Sequence, residues 1–248
     1  MNTSRIANGV SPALGLSLRC ALAVMTKAPK AGQVKTRLTP PLTPDEAAEL
    51  NKAFLVDTAA AISRAAETSP AYGVAVYTPQ NAASAYIDVL PADFILIPQR
   101  GESFGERLHF ATTDLFKSGF ASVCLIDSDS PTVPSESFAT AVKLLNTNND
   151  RLVLGPCDDG GYYLIGMNQP HQELFERIDW STDRVLGQTL QRASEIGIEA
   201  KLLPVGYDVD DRTALQRLCE ELFARKARAN LAPATRKFLA TIAAQNKL

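Results

Sequence analysis

Two aspartates separated by one residue follow an apolar run in the segment LIDSDSPTVP. Asp127 and Asp129 stand directly after a stretch that indicates a buried strand. Carboxylate oxygens suit Mg²⁺ or Mn²⁺, which keep several waters and take further ligands from substrate phosphates. The pattern therefore predicts a divalent metal site, although an aspartate that only forms a turn before a helix at Ser135 fits the same letters.

A second segment, MTKAPKAGQVKTRLTP, concentrates positive charge in a chain that is slightly acidic overall. It contains one glycine, Gly32, and four cations around it, which are Lys27, Lys30, Lys35 and Arg37. Glycine lets the backbone approach a ligand closely, and the cations can neutralise a polyphosphate. The segment is neither a Walker A loop nor a G-x-G-x-x-G motif, and a solvated charged turn is the structural alternative.

The segment GPCDDGGYYLIG joins two further apolar runs. Asp158 and Asp159 precede Gly160 and Gly161, which would allow a ligand to approach the backbone. An Asp-Gly hairpin turn is the simpler interpretation of these letters taken alone.

The segment GYDVDDRTALQRL places three carboxylates between a strand pattern and a helix pattern. Asp210 or Asp211 is expected to cap that helix, and Asp208 lies just before them. Cations after one strand and carboxylates after later strands are what a metal–polyphosphate complex requires. Basic groups bind the phosphate oxygens and carboxylates bind the bridging ion.

Seven short apolar runs alternate with helical patterns, as expected of strands that are covered on both faces. We predict an α/β fold with three α/β/α layers around a mostly parallel mixed sheet. Ligands of such sheets bind at the carboxyl ends of the strands, where the polar loops stand. The predicted strands are residues 20–26, 72–78, 94–98, 122–126, 151–155, 162–167 and 200–205.

The helix starts are marked by capping residues. Thr43 and the Pro-Asp-Glu that follows it predict a helix from residue 44 to about Glu67. Asp57 lies on the apolar stripe of this helix and needs a partner, for which a bond to a loop is favoured over catalysis. Ser181 or Thr182 is expected to cap a later helix. A second helix is predicted from about residue 103. The remaining predicted helices cover residues 135–146, 182–196, 211–226 and 233–244.

Composition narrows the class of protein. The 248 residues can bury a full core, and we expect one domain over residues 20–248 after a loose extension over residues 1–19. A net charge of −2 gives no reason to expect a nucleic-acid or membrane-surface partner, and no apolar run is long enough to span a bilayer. Four scattered cysteines and two histidines favour reduced thiols in the cytoplasm over a disulfide or zinc framework. The oligomeric state stays open.

The order of the motifs resembles a bacterial family of transferases with the GT-A fold, the nucleotide-diphospho-sugar transferase type. Members are often described as glycosyltransferases, and some are linked to arsenosugar biosynthesis. The first and last motifs also resemble, more distantly, phospholactate guanylyltransferase and other nucleotidyltransferases. The shared pattern, over about residues 20–220, is Lys-Ala-Pro-x-x-Gly-x-Val-Lys-Thr-Arg-Leu, Asp-x-Asp-x-Pro, Gly-Pro-x-x-Asp-Gly-Gly-Tyr-Tyr-Leu-Ile-Gly, Trp-Ser-Thr and Asp-Val-Asp.

The resemblance assigns the first loop to the nucleotide. Lys35 and Arg37 are the preferred phosphate ligands, and Lys35 is expected to aid catalysis by offsetting charge on a departing diphosphate. Lys30 is expected to be a solvated turn residue. The residues that match the nucleotide- and phosphate-contacting loop are Lys27, Gly32, Lys35 and Arg37.

The resemblance assigns the carboxylates to a metal and to the acceptor. Asp129 and Asp210 match metal-binding positions, and Asp129 is therefore also a catalytic candidate. Asp127 stands where relatives commonly have glycine, so it either adds a metal ligand or hydrogen-bonds the turn. Asp159 is the candidate base or acceptor-orienting group. Sugar or acceptor binding is implied for Asp159, Gly160, Gly161 and Trp180.

Two reactions and one binding role fit these assignments. The preferred one is Mg²⁺- or Mn²⁺-dependent glycosyl transfer from a nucleotide-diphospho-sugar to a small acceptor. The density of cations favours the alternative, in which a nucleotidyltransferase joins a nucleoside triphosphate to a small phosphorylated acceptor and releases pyrophosphate. A nucleotide-binding module without turnover is the third. The sequence identifies neither the base, the sugar nor the acceptor.

Overall fold

The computed structural model describes residues 16–225, 228 and 230–245. Most of the extension predicted for residues 1–19 lies outside the described residues. Its last part, Leu16–Leu18, forms a short 3-10 helix whose Leu16 is buried against the sheet. Among the helices of the described residues, none has the length and apolar character needed to cross a membrane.

Seven strands form one mixed sheet, close to the seven predicted runs. They are β1 (Cys20–Lys27), β2 (Ala71–Thr78), β3 (Ile95–Pro98), β4 (Ser122–Ile126), β5 (Arg151–Pro156), β6 (Tyr162–Met167) and β7 (Glu199–Leu202). Their order across the sheet is β3-β2-β1-β4-β6-β5-β7. β6 runs antiparallel to both of its neighbours, and the other pairs are parallel. The predicted mostly parallel α/β fold is confirmed.

Six α-helices of the described residues pack around the sheet. They are α1 (Pro44–Thr68), α2 (Phe104–Lys117), α3 (Ser135–Leu145), α4 (Val185–Glu195), α5 (Arg212–Phe223) and α6 (Pro233–Ala243). Capping explains where α1 begins, because Thr43 and Glu46 each accept a hydrogen bond from the other's backbone N–H. Ser103 and Glu106 form the same reciprocal cap on α2.

One predicted helix start is wrong. Neither Ser181 nor Thr182 caps α4, whose N-cap position is taken by Arg184 without a side-chain hydrogen bond. The Thr182 hydroxyl donates instead to the carbonyl of Asp179, 2.7 Å away, and accepts from the N–H of Arg184. These bonds form a turn before the helix, so the helix starts three residues later than predicted.

The core consists of two layers on opposite faces of the sheet and a third cluster beyond it. Alternate residues of β1 enter opposite layers, Leu22 with α1 and α3 and Ala23 with α2. In the third cluster, Phe54 of α1 packs against α5 and α6. Both faces of the sheet are therefore buried, which is why its strands are continuously apolar.

The buried carboxylate of α1 has the structural role that was favoured for it. Asp57 accepts hydrogen bonds from the backbone N–H groups of Ala234 and Thr235, at 3.0 Å and 2.8 Å. These are the first donors of α6, which lack partners within their own helix. Asp57 therefore fastens α6 to α1 and has no part in the site described below.

The strand order brings four polar loops to one edge of the sheet. β1 lies between β2 and β4, so the chain leaves β1 toward one side and later returns on the other. Crevices form outside the carboxyl ends of strands at such a reversal. The loops at this edge are residues 28–43 after β1, 127–134 after β4, 157–161 after β5 and 203–211 after β7.

Candidate functional site

A buried ammonium group lies at the centre of this edge. The Nζ atom of Lys35 is 2.7 Å from Oδ1 of Asp129 and 2.8 Å from Oδ1 of Asp210. It also donates to the backbone carbonyl of Val209, 2.9 Å away. The Lys35 side chain is only 4% exposed, so the structure joins the predicted phosphate ligand directly to the two predicted metal ligands.

The local backbone explains how these groups meet. Lys35 has a left-handed backbone, with φ of 48°, which is uncommon for a residue with a side chain and is frequent at functional sites. The N–H of Val209 donates to the carbonyl of Asp129, which ties the loop after β7 to the loop after β4. Asp211 caps α5 by accepting from the N–H of Ala214. Asp210, one residue earlier, is thereby left to pair with Lys35.

The charges of this cluster are mutually stabilised. Burial by itself lowers the pKa of Lys35, but the carboxylates of Asp129 and Asp210 raise it above its usual value. The ammonium also lies 5.4 Å from the centre of the Phe54 ring, within range of a cation–π interaction. Lys35 is therefore held as a cation.

A cavity of about 470 Å³ opens on one side of Lys35. We call it the cationic compartment, because its charged lining beyond the central cluster consists of Lys27 and Arg107. Gln99 stands on its wall and donates to the carbonyls of Val76 and Thr26. The other uncharged polar residues of its lining are Thr26, Gln33, Asn51, Thr78 and Ser128.

A second cavity, of about 560 Å³, opens on the other side. We call it the acidic compartment, since one cation, Arg37, faces six carboxylates there. These are Asp127, Asp129, Asp159, Asp183, Asp208 and Asp210. Asp129 and Asp210 line both cavities, so the two compartments meet at the Lys35 cluster.

Two of these carboxylates are poorly solvated. Burial, followed by the nearby charge of Asp129, raises the pKa of Asp127 well above its usual range. The Asp127 side chain accepts from the hydroxyl of Ser130 at 2.7 Å, which is the turn-stabilising role left open by the sequence. Burial and the neighbouring carboxylates Asp159 and Asp210 raise the pKa of Asp208 to about 6.

The Asp-Gly-Gly segment is a hairpin turn between β5 and β6, the simpler of the two interpretations. Asp159 accepts from the N–H of Gly161 at 2.8 Å, as in an Asx turn. Gly160 has a φ of 90°, and a Cβ atom there would lie 2.2 Å from the carbonyl oxygen of Asp183. Gly160 therefore allows the hairpin to pack closely against the segment that leads into α4. Asp159 and Gly161 line the acidic compartment.

An aromatic pair forms another wall of the acidic compartment. The rings of Phe104 and Trp180 meet edge to face, with centroids 5.1 Å apart and planes at 77°. Gly105 makes this approach possible, because a Cβ atom there would lie 2.8 Å from Nε1 of Trp180. Trp180 therefore lines the same compartment as Asp159 and Gly161.

The remaining predicted phosphate ligands are divided. Lys27 lines the cationic compartment, whereas Arg37 lines the acidic one. Gly32 and Lys30 are exposed and belong to the lining of neither compartment. The exposure of Lys30 agrees with its expected role as a solvated turn residue.

The two carboxylates beside Lys35 suit a divalent cation that brings further ligands. Among the described residues, no group of three or more histidines, cysteines or carboxylates could hold a metal ion by itself. Mg²⁺, however, usually binds through one or two carboxylates and takes its other ligands from water and substrate phosphates. Asp129 and Asp210 therefore fit an ion that arrives with a polyphosphate.

Three lining residues escaped the sequence analysis. Arg107 lies in the first turns of α2, where it looked like an ordinary surface residue. Asn51 is a polar residue on the buried side of α1, and its Oδ1 atom is buried without a hydrogen-bond partner in the described part of the chain. A polar residue on an apolar stripe was a usable signal for Asn51. Asp183, in the segment before α4, had no distinguishing pattern.

The fold matches that of nucleotide-diphospho-sugar transferase structures, which supports a transferase as the broad class of this protein. The chain is similar to the crystal structure of a candidate nucleotide-diphospho-sugar transferase from Desulfovibrio desulfuricans G20. The two share 28% identity with a TM-score of 0.80, over 91% of this chain and 95% of that one.

Two more distant structures show the same fold alone. One is Rv0371c from Mycobacterium tuberculosis H37Rv, with 14% identity over 82% of this chain and 99% of that one and a TM-score of 0.51. The other is a cytidylyltransferase from Leptospira borgpetersenii serovar Hardjo-bovis, with 10% identity over 92% and 95% and a TM-score of 0.51.

Residues 61–182 match the model of a family described as uncharacterised proteins conserved in bacteria, DUF2064. No curated protein matches the chain. The predicted resemblance to a bacterial family with the GT-A-type fold is confirmed.

Proposed function

We propose that this protein is a metal-dependent glycosyltransferase that moves a sugar from a nucleotide-diphospho-sugar to a small acceptor. The observation that carries the proposal is the meeting of a cationic and an acidic compartment at Asp129 and Asp210. A nucleotide-sugar has one anionic half, the nucleoside diphosphate, and one neutral half, the sugar. The cationic compartment complements the charge of the anionic half, and the carboxylates of the acidic compartment can accept hydrogen bonds from the hydroxyl groups of the neutral half. The similarity to the Desulfovibrio protein supports the same class of donor.

The cationic compartment is the proposed site of the nucleoside diphosphate. Lys27 and Arg107 project from its wall and would neutralise phosphate oxygens. Lys35 lies at the boundary, where charge accumulates on the diphosphate as the sugar leaves. Stabilisation of such developing charge typically contributes a few kcal/mol for each well-placed group, about 3–4 kcal/mol in measured cases.

Asp129 and Asp210 are the residues that would hold Mg²⁺ or Mn²⁺. When bound, the ion supplies positive charge that stabilises the departing diphosphate. The protein's own part is to bring both carboxylates to one point through the backbone hydrogen bond from Val209 to Asp129.

The acidic compartment is the proposed site of the sugar and the acceptor. Trp180 presents an aromatic surface for the apolar face of a sugar ring. The Oδ1 atom of Asp159 accepts from Gly161, which leaves Oδ2 to take the proton from an acceptor hydroxyl. The acceptor oxygen then forms a bond to the anomeric carbon, and the bond from that carbon to the diphosphate breaks.

The charge of this compartment separates the two reactions. Asp159 and Asp183, which lie outside the Lys35 cluster, would repel the phosphorylated acceptor that the nucleotidyl reaction uses, since like charges at close range in a partly buried cavity are unfavourable. A neutral hydroxyl acceptor meets no such penalty. This favours glycosyl transfer.

Nucleotidyl transfer is the second candidate, and one observation favours it. The cations Lys27, Lys35 and Arg107 all line one compartment, which suits the three phosphates of a nucleoside triphosphate as well as the two of a nucleotide-sugar. In that reaction the acceptor attacks the α-phosphate and pyrophosphate leaves.

A ligand screen distinguishes these functions. Thermal unfolding is measured with Mg²⁺ and each common nucleotide-sugar or nucleoside triphosphate, because a ligand that binds the folded state raises the melting temperature. Glycosyl transfer predicts stabilisation by a nucleotide-sugar and transfer of its sugar to a hydroxyl acceptor. Stabilisation by triphosphates alone, together with pyrophosphate release, would contradict the proposal of glycosyl transfer.

Two variants test whether the protein turns over at all. Asp129→Asn and Asp210→Asn should abolish product formation, whereas Asp93→Asn, at an exposed position outside both compartments, should not. Tight nucleotide binding that survives both site substitutions, with no product from any donor, would indicate a binding module without activity.

A further inference from the structure

The hydrogen-bonding capacity of Lys35 is fully used within the protein. An ammonium group has three N–H donors, and Lys35 has three acceptors at hydrogen-bond distance. These are Asp129 Oδ1 at 2.7 Å, Asp210 Oδ1 at 2.8 Å and the carbonyl of Val209 at 2.9 Å. Because the side chain is 4% exposed and lies against Phe54, the ammonium is held in place as an internal counter-ion of the two carboxylates.

The same two carboxylates are the proposed metal ligands. A divalent cation that binds Asp129 and Asp210 therefore competes with Lys35 for their oxygens. It is also repelled by the ammonium if Lys35 stays in place. No group of three or more histidines, cysteines or carboxylates in the described part of the chain could hold a metal ion, so the ion has little to compensate for this competition.

A polyphosphate in the cationic compartment changes the balance. Lys35 lines that compartment together with Lys27 and Arg107, so phosphate oxygens there can accept the ammonium's hydrogen bonds. The phosphate also offers the ion the oxygen ligands that the protein lacks. Binding of the polyphosphate and binding of the metal ion therefore favour each other.

We propose that Lys35 is a resident counter-ion of Asp129 and Asp210. It prevents a free divalent metal ion from binding these two carboxylates and releases them only when a polyphosphate binds. This inference rests on the metal site of the proposed function and goes beyond it. It makes metal and polyphosphate binding interdependent, by a coupling that is reciprocal for the two ligands.

The test measures Mn²⁺ affinity directly, with pyrophosphate as a polyphosphate that carries no base or sugar. Free Mn²⁺ is followed by electron paramagnetic resonance for the wild-type chain and for Lys35→Met. Wild type should bind Mn²⁺ at least about ten-fold more tightly with pyrophosphate than without it, after correction for Mn²⁺–pyrophosphate binding in solution. Lys35→Met should bind Mn²⁺ about ten-fold more tightly than wild type without pyrophosphate, and pyrophosphate should add little.

Lys27→Met is the matched control. Lys27 lines the same compartment but has an exposed side chain outside the carboxylate cluster, so its removal changes the long-range field without freeing Asp129 or Asp210. Equal gains in Mn²⁺ affinity for Lys27→Met and Lys35→Met would overturn the inference. The wild-type comparison with and without pyrophosphate needs no variant, so equal affinities there would overturn the inference even if Lys35→Met does not fold.

The outcomes separate this inference from the proposed function. Equal Mn²⁺ affinity of wild type with and without pyrophosphate overturns the counter-ion role and leaves a metal-dependent transferase in place. Absence of Mn²⁺ binding in every sample overturns the metal dependence of the proposed function and the counter-ion role together.

Discussion

The backbone N–H of Val209 donates a hydrogen bond of 2.9 Å to the carbonyl oxygen of Asp129. This bond joins the loop after β7 to the loop after β4, and it directs two carboxylates from distant parts of the sequence toward one lysine. Lys35 comes from a third loop, after β1, which neighbours β4 in the sheet. The centre of the site thus depends on three loops that only the strand order brings together.

Arg107 should contribute to polyphosphate binding although no sequence motif marks it. We expect Arg107→Ala to weaken pyrophosphate binding by about ten-fold in the presence of Mg²⁺, the usual effect of losing a hydrogen bond to a charged group. Lys30→Ala should change the affinity little, because Lys30 is exposed outside both compartments. Isothermal titration calorimetry measures both. Equal losses in the two variants would mean that only the overall charge matters.

Trp180 should report which compartment a ligand fills, since it is the protein's single tryptophan. It lines the acidic compartment and does not line the cationic one. A nucleotide-sugar should therefore change the tryptophan fluorescence more than the corresponding nucleoside diphosphate does. Trp180→Phe supplies the background. Identical changes for the two ligands would contradict the proposed placement of the sugar.

Gly160 should be intolerant of a side chain. Gly160→Ala should lower the free energy of unfolding by at least about 2 kcal/mol, because the new Cβ meets the Asp183 carbonyl and the φ of 90° is strained for alanine. Gly119→Ala is the matched control, since Gly119 has a similar φ of 98° and open space around it. Urea unfolding gives both values. If the two variants lose equal stability, the contact with Asp183 contributes nothing beyond the backbone strain.

Asp57 should stabilise the packing of α6 on α1. Asp57→Ala leaves the N–H groups of Ala234 and Thr235 without their acceptor, which should cost about 1–3 kcal/mol in urea unfolding at neutral pH. Asp57→Asn keeps one oxygen acceptor and should lose less. Asp93→Ala, at an exposed position, should lose little.

The pH dependence of this effect has a definite sign. Burial raises the pKa of Asp57 above its ordinary value of 3.8, so the folded chain holds the proton more tightly than the unfolded chain does. The stabilisation from that proton is complete below pH 3.8 and is lost as the pH rises through the raised pKa. The stability of wild type should therefore fall relative to Asp57→Asn as the pH rises above 3.8 toward neutral pH. A constant difference across this range would contradict the raised pKa.

The loops show how far sequence reasoning reached and where it stopped. Apolar runs identified the strands, and the carboxyl ends of parallel strands share one edge, so the polar loops could be expected to meet there. The hairpin at Asp159 and the cap at Asp211 follow from hydrogen bonds between residues two or three positions apart. Such local bonds are legible in the sequence, although the Thr182 turn shows that two local bonding patterns can compete for the same residue.

The sequence by itself determined the elements, the buried faces and the charge of each loop, because these depend on side chains that are close together along the chain. Only the tertiary structure decided that Lys35 pairs with Asp129 and Asp210, that Arg37 faces the acidic compartment and that Arg107 lines the cationic one. These relationships depend on strand order and on backbone bonds between distant loops. Neither strand order nor a bond between distant loops produces a periodic pattern in the sequence. The polar edge could therefore be predicted, while its division into two compartments could not.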